Sequence, residues 1–315
     1  GSEMCIRDRF TIYSQLWDKS AILQDLKQYY QIYTNIRSGE ISHIMGQKFL
    51  TTHLFEVLPG FSENDLAAFM ALTGSGLTLY AIASIRKSIY IPVSNMAIIL
   101  QCVLFDRLTI DLLLSTYSSS IASLLCFLSL STLMARNLKL CFTYSFLAFA
   151  EHSLAAAGNF LIYLVAFSHG RHGRLLISTI LFIAVGWLAQ YKDYLLPWLP
   201  IIAYNANETE RIMDMNQVLS MSYWLQLIIS FWPLAAVAFR IFRVKSCRSK
   251  QCLWLASMLP VALVIFLPQL FILKRYLFTA LLATPCLLGR RMLIFYWLIK
   301  QLAFIAFSSG KIALA

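Results

Sequence analysis

Residues 140–168 read LCFTYSFLAFAEHSLAAAGNFLIYLVAFS, and the number of times this stretch crosses a membrane decides the topology on either side of it. As one straight helix it measures about 43 Å at 1.5 Å per residue, long for a hydrocarbon core of about 30 Å. Its centre carries Glu151-His152, a pair that lipid tolerates only against protein or a wet cavity. The basic residues of the neighbouring separators supply an independent test. If the stretch crosses once, the Lys and Arg between apolar blocks divide eight against ten; if it enters and returns, they divide thirteen against five. Cytoplasmic loops carry the excess of positive charge, which favours the second arrangement. The arms 140–150 and 153–168 are short for full crossings, so the expectation is a re-entrant or broken helix pair with Glu151-His152 near its tip.

Working outward, apolar blocks run at 66–84, 89–105, 110–134, 140–168, 175–189, 218–239, 252–273, 276–289 and 292–309. Most approach the ~20 residues that a spanning helix needs. They are apolar all round rather than alternating, which argues against barrel strands. Of the 315 residues, 59% are hydrophobic and 13% charged, about half the charged share that a water-facing surface requires. The expected fold is therefore all-α, a polytopic transmembrane bundle of about eight to ten spans. The net charge of +11 sits in short runs between apolar blocks, as membrane orientation requires, and nucleic acid is not an expected partner.

The chain divides into three parts. Residues 1–9, GSEMCIRDR, read as a non-native leader, which leaves room for a first span upstream of residue 10. Residues 10–65 are the least apolar part: Leu16, Leu23, Leu26, Tyr29, Tyr30 and Tyr33 recur at helical spacing between charged residues. That pattern fits a helix lying on the membrane surface, or a solvated loop containing one helix. Residues 66–309 form the expected bundle. The charge count sets 10–65, 106–111, Glu151-His152, the 190–217 segment and Lys274-Arg275 on the extracytoplasmic side.

Candidate chemistry gathers on that side. His152, beside Glu151, has a ring whose ordinary pKa suits a general base or a donor to a phosphate leaving group; equally, the two residues form a turn that reaches headgroups. Arg275, before Tyr276, can hold a phosphate in two-pronged fashion or snorkel to the interface. Asp106, Arg107 and Asp111 form a second cluster, in which Arg107 and Asp111 are spaced to pair on one helix face and neutralise its end. Tyr117-Ser118-Ser119-Ser120 supplies small groups for close helix packing. His169-Gly170-Arg171-His172 offers two metal ligands where a site needs three or four, and the seven Cys are too scattered for a zinc site, so no metal is expected. Asn207-Glu208-Thr209 matches a glycosylation acceptor pattern. Neither a phosphate-binding GxxxxGK[ST] nor a dinucleotide-binding glycine pattern occurs, and no cofactor is expected.

Taken in order, these features resemble the EpsG-type and O-antigen-polymerase-like membrane proteins that extend bacterial exopolysaccharides. Asp25, Tyr29, Tyr30 and Tyr33 look like that family's early Asp-and-Tyr segment, and Glu56 like its acidic residue before a span. Phe149-Ala150-Glu151-His152-Ser153 is similar to its Phe-His-x-Ser element, with one extra residue between Phe and His, and Arg275-Tyr276-Leu277-Phe278 to its late Arg with aromatics. One departure stands out: the family's Ile-Arg-Gln-like element falls at Thr116-Tyr117-Ser118, which has no Arg. Either Arg107 substitutes, or the activity is altered or lost.

The resemblance implies polymerisation of oligosaccharide units carried on polyprenyl pyrophosphate, at the outer face of a bacterial cytoplasmic membrane. Arg275 and Arg107 would hold pyrophosphate charge and His152 would take the acceptor's proton. Glu56 and Asp111 would position sugar hydroxyls, with Glu151 and Tyr276 also lining the substrate. The expected partners are the lipid-linked oligosaccharide, membrane lipids and a polysaccharide-biosynthesis complex. The competing class is a transporter or flippase for a lipid-linked glycan or small solute, because carriers build sites from broken helices. A scaffold without chemistry is the third.

Overall fold

The computed structural model describes residues 19–39, 49–106, 108–109, 112–113, 116–167, 221–243, 248–266 and 276–308. All regular structure among them is helical: α1 (Lys19–Arg37), α2 (Phe49–Val57), α3 (Glu63–Ile89), a 3-10 turn (Val93–Asn95) leading into α4 (Met96–Leu104), α5 (Tyr117–Met134), α6 (Leu138–Glu151), α7 (Ser153–Phe167), α8 (Met221–Arg243), α9 (Arg248–Phe266), α10 (Leu277–Cys286) and α11 (Arg290–Ser308).

Local chemistry explains where α3 begins and ends. Ser62 Oγ accepts the Asp65 N–H, and the Asp65 carboxylate accepts the Ser62 N–H at 3.1 Å, a reciprocal cap that satisfies two otherwise orphaned donors. The helix thus starts at Glu63 rather than at the expected Leu66. Acidic residues fill its first turn, Arg86 and Lys87 its last, and Tyr90 closes it in the left-handed region at φ 57°.

Helix α5 is central, with Tyr117 through Thr132 buried. Its hydroxyls fix the register of its neighbours. Tyr117 bonds Thr73 and Ser131 bonds Ser84, each at 2.7 Å, so α3 runs parallel to α5. Ser118 donates to the Glu151 carbonyl (3.3 Å) and Ser129 meets Ser145 (2.8 Å), so α6 runs antiparallel. Asn159 donates to Ser123 (3.3 Å), so α7 runs back alongside.

Between α6 and α7 the backbone of His152 leaves the helical region (φ −157°, ψ 93°). Phe149 and Phe160 then stack with centroids 5.3 Å apart, whereas a continuous helix would separate them by about 16 Å along its axis. The stretch that opened the sequence reading is a broken pair folded back on itself, with its turn at His152. Arg86, Lys87, Arg136 and Lys139 lie at one end of these helices, and Glu63, Tyr117 and Glu151 at the other.

Among the described residues, three helices, Glu63–Ile89, Tyr117–Met134 and Ser249–Phe266, are long and apolar enough to cross a membrane. The remaining described blocks differ from the expected full spans for identifiable reasons. Block 89–105 is interrupted by the turn after Pro92, and block 276–289 yields the ten-residue, wholly buried α10. That length covers about 15 Å, half a hydrocarbon core. Helix α11 carries Arg290, Arg291 and Lys300. Block 175–189, the 190–217 segment and the leader 1–9 lie outside the described residues.

Residues 10–65 contribute α1 and α2 packed together. Leu26, Tyr29 and Tyr33 form the buried face of α1, and Tyr33 meets Phe55 edge-on at 5.8 Å. On the outside of the molecule, Leu72 and Leu79 of α3, Phe142 and Phe146 of α6 and Leu302 and Ile305 of α11 are exposed. So large an apolar exterior suits lipid and not water.

Candidate functional site

The turn between α6 and α7 is where sequence-distant polar groups meet. Glu151 closes α6 and is fully buried. Its carboxylate accepts the Thr51 N–H on Oε2 (3.0 Å) and the Thr51 hydroxyl on Oε1. Thr51 lies in the first turn of α2, so the carboxylate sits where a helix N-terminus favours negative charge. The Glu151 carbonyl accepts from Ser118, whose own N–H donates to the Tyr29 hydroxyl at 3.2 Å. Tyr29 packs edge-on against Tyr117 (6.1 Å). Three segments more than thirty residues apart in sequence thus converge: Tyr29 and Thr51, Tyr117-Ser118, and Glu151-His152.

His152 is half-buried and caps α7: its Nδ1 accepts the Ala155 N–H at 3.3 Å. A nitrogen that accepts carries no proton, so on a neutral ring the proton belongs to Nε2.

Of the other predicted residues, Tyr276 precedes α10 and is 9% exposed, its ring seated on Gly158 of α7, where a Cβ would overlap it. Two turns of helix separate that contact from the turn at His152. Glu56 lies elsewhere. Thr51, Phe55 and Leu58 form the buried stripe of α2 and its exit, whereas Glu56 is exposed and bonds His53 at 2.9 Å along the opposite face. Arg107, Asp111 and Arg275, together with His169-Gly170-Arg171-His172 and Asn207-Glu208-Thr209, lie outside the described residues. No group of three His, Cys, Asp or Glu that could hold a metal ion forms among the described residues.

Sequence reading singled out Asp106, in a cluster with Arg107 and Asp111, but missed its partner Lys300. Asp106, just beyond α4, and Lys300, in the middle of α11, form a buried ion pair, 5% and 3% exposed. Ser230 of α8 completes it, donating to Asp106 Oδ2 (3.1 Å) and accepting from Lys300 Nζ (2.7 Å). The Leu108 N–H occupies Asp106 Oδ1 (3.1 Å), and the Tyr296 hydroxyl donates to the Ser230 carbonyl (2.9 Å). The available signal was Lys300 itself, a cation inside the apolar block 292–309, where ionisable residues mark partners or function. Thr51 was missed because nothing local in its sequence points to a carboxylate one hundred residues away.

No protein-family model matches the chain, and no curated protein or solved structure matches it.

Proposed function

We propose that this chain is a multi-pass protein of the bacterial cytoplasmic membrane that joins lipid-linked oligosaccharide units on the extracytoplasmic face. The supporting observation is the convergence described above: segments singled out by resemblance to exopolysaccharide polymerases meet at the α6–α7 turn, opposite the basic ends of α3 and α5. Sites for group transfer are typically assembled from such sequence-distant parts. In this reading the polyprenyl pyrophosphate of the donor sits near the turn. An acceptor hydroxyl oxygen bonds the anomeric carbon, the bond from that carbon to the pyrophosphate oxygen breaks, and the hydroxyl proton passes to the departing pyrophosphate. The Nε2–H of His152 hydrogen-bonds the leaving oxygen and keeps its proton, with Arg275 and Arg107 carrying the remaining charge.

Complementation of glycan chain length tests both the activity and the role of the imidazole. His152→Ala is expected to abolish long chains. His152→Gln, which keeps an N–H donor but no base, is expected to retain a substantial share. Equal loss in both variants argues for a base instead, and unchanged chains in both His152→Ala and Arg275→Ala remove the mechanism.

A second reading, transport of a lipid-linked glycan or small solute, is favoured by Asp106–Lys300, an ion pair within an apolar bundle beside an interrupted helix. Loss of solute flux into vesicles on Asp106→Asn/Lys300→Met, with chain length unchanged, would select it.

A further inference from the structure

We propose that Thr51 is a positioning residue: by clasping both oxygens of Glu151 it joins α2 to the α6–α7 turn as one unit and so sets the placement of His152. The inference rests on the reading of that turn as the reactive end of the protein. Glu151 has no exposure through which to meet a substrate, and Thr51 occupies both its carboxylate oxygens, one through the main chain and one through the hydroxyl. A pair of bonds from one residue to one buried carboxyl group fixes its orientation as well as its position. The next residue is His152, whose ring is held in turn by the Ala155 amide. The chain of constraint therefore runs from the α2 main chain, through the carboxylate, into the backbone of the turn and out to the imidazole. Ser118, bonded to the Glu151 carbonyl, and Tyr29, bonded to the Ser118 amide, close the same turn from α5 and α1.

This also assigns the polar residues of α2 different tasks. Thr51 faces the bundle, whereas His53 and Glu56 face away. A variant at Glu56 therefore leaves the turn intact, and a variant at Thr51 does not.

The test is made on the full chain in detergent with nitrogen-15-labelled histidine, reading the His152 ring signals, alongside chain-length complementation. Thr51→Val keeps the shape and removes the hydroxyl; Thr51→Ser restores it. The expected result is that Thr51→Val shifts or splits the His152 Nδ1 signal and lowers long-chain product at least tenfold, while Thr51→Ser matches the parent in both. An unchanged His152 signal in Thr51→Val overturns the proposal. A shifted signal with normal glycan upholds the positioning and removes the polymerase reading instead. If Thr51→Val fails to accumulate, Glu151→Gln reads the same clasp from the other side, and an unchanged His152 signal there is equally fatal.

Discussion

Gly158 shows how much a single residue can decide. It lies within α7, where glycine costs about 1 kcal/mol relative to alanine, so Gly158→Ala ought to strengthen the helix. The Tyr276 ring occupies the space a Cβ would need, and that ring is itself buried. Overpacking a buried contact costs about 1–3 kcal/mol, which exceeds the helical gain. The expected outcome is a lower thermal midpoint for Gly158→Ala in detergent, with Gly158→Ala/Tyr276→Leu recovering part of it. A raised midpoint in the single variant would show that the ring moves aside freely. Neither Gly158 nor Thr51 was legible as a contact residue in the sequence, because each matters through a partner about one hundred residues or more away. His152 and Glu151 were legible because charge inside an apolar run is conspicuous wherever it folds. Their contacts were not: the Glu151 carboxyl bonds Thr51 of α2, and the His152 ring bonds the Ala155 amide.

At the scale of elements, the sequence carried most where electrostatics constrains topology. Counting basic residues placed a break near Glu151-His152, and the backbone departs from helix at His152. The count carried no information on how an apolar run is subdivided, so the brevity of α4 and α10 was missed. For α10 the brevity follows from packing, since it is covered by other helices and need not match a lipid thickness; α5 is covered likewise. The serines of α5 are what allow that coverage. Ser129 approaches Ser145 at 2.8 Å and the Cys141 carbonyl at 3.2 Å, so α6 lies close against α5. Ser129→Ala removes hydrogen bonds worth about 0.5–1.5 kcal/mol but leaves the approach intact. Ser129→Leu inserts volume into the contact and is expected to lose about 1–3 kcal/mol more. Unfolding midpoints in the order parent, Ala, Leu support this packing, and Leu equal to Ala contradicts it.

For the molecule as a whole, the question is what holds α11 in an apolar bundle when Lys300 lies ten residues, about 15 Å, from its basic start. A lysine at that depth costs about 2.5–3.5 kcal/mol even with snorkelling, which its burial at 3% exposure denies it. Asp106 and Ser230 resolve the difficulty by making the charge neutral and saturating its bonds, and in doing so they tie α11 to α8 and to the break after α4. Such pairs add little over apolar replacements but penalise the loss of one partner by about 3–5 kcal/mol, since the other is left charged and buried. Lys300→Met and Asp106→Asn should therefore each sharply reduce folded protein. Asp106→Asn/Lys300→Met should recover most of it, because the Asn oxygen still accepts from Leu108 and its NH2 donates to the Ser230 hydroxyl that Lys300 has vacated. The measurement is the fraction of protein surviving a thermal challenge in detergent for the parent, the two single variants and the double. A double variant no better than either single would mean that the pair is required for more than charge balance. That result would strengthen the transport reading, in which Asp106 and Lys300 act on a solute rather than on each other.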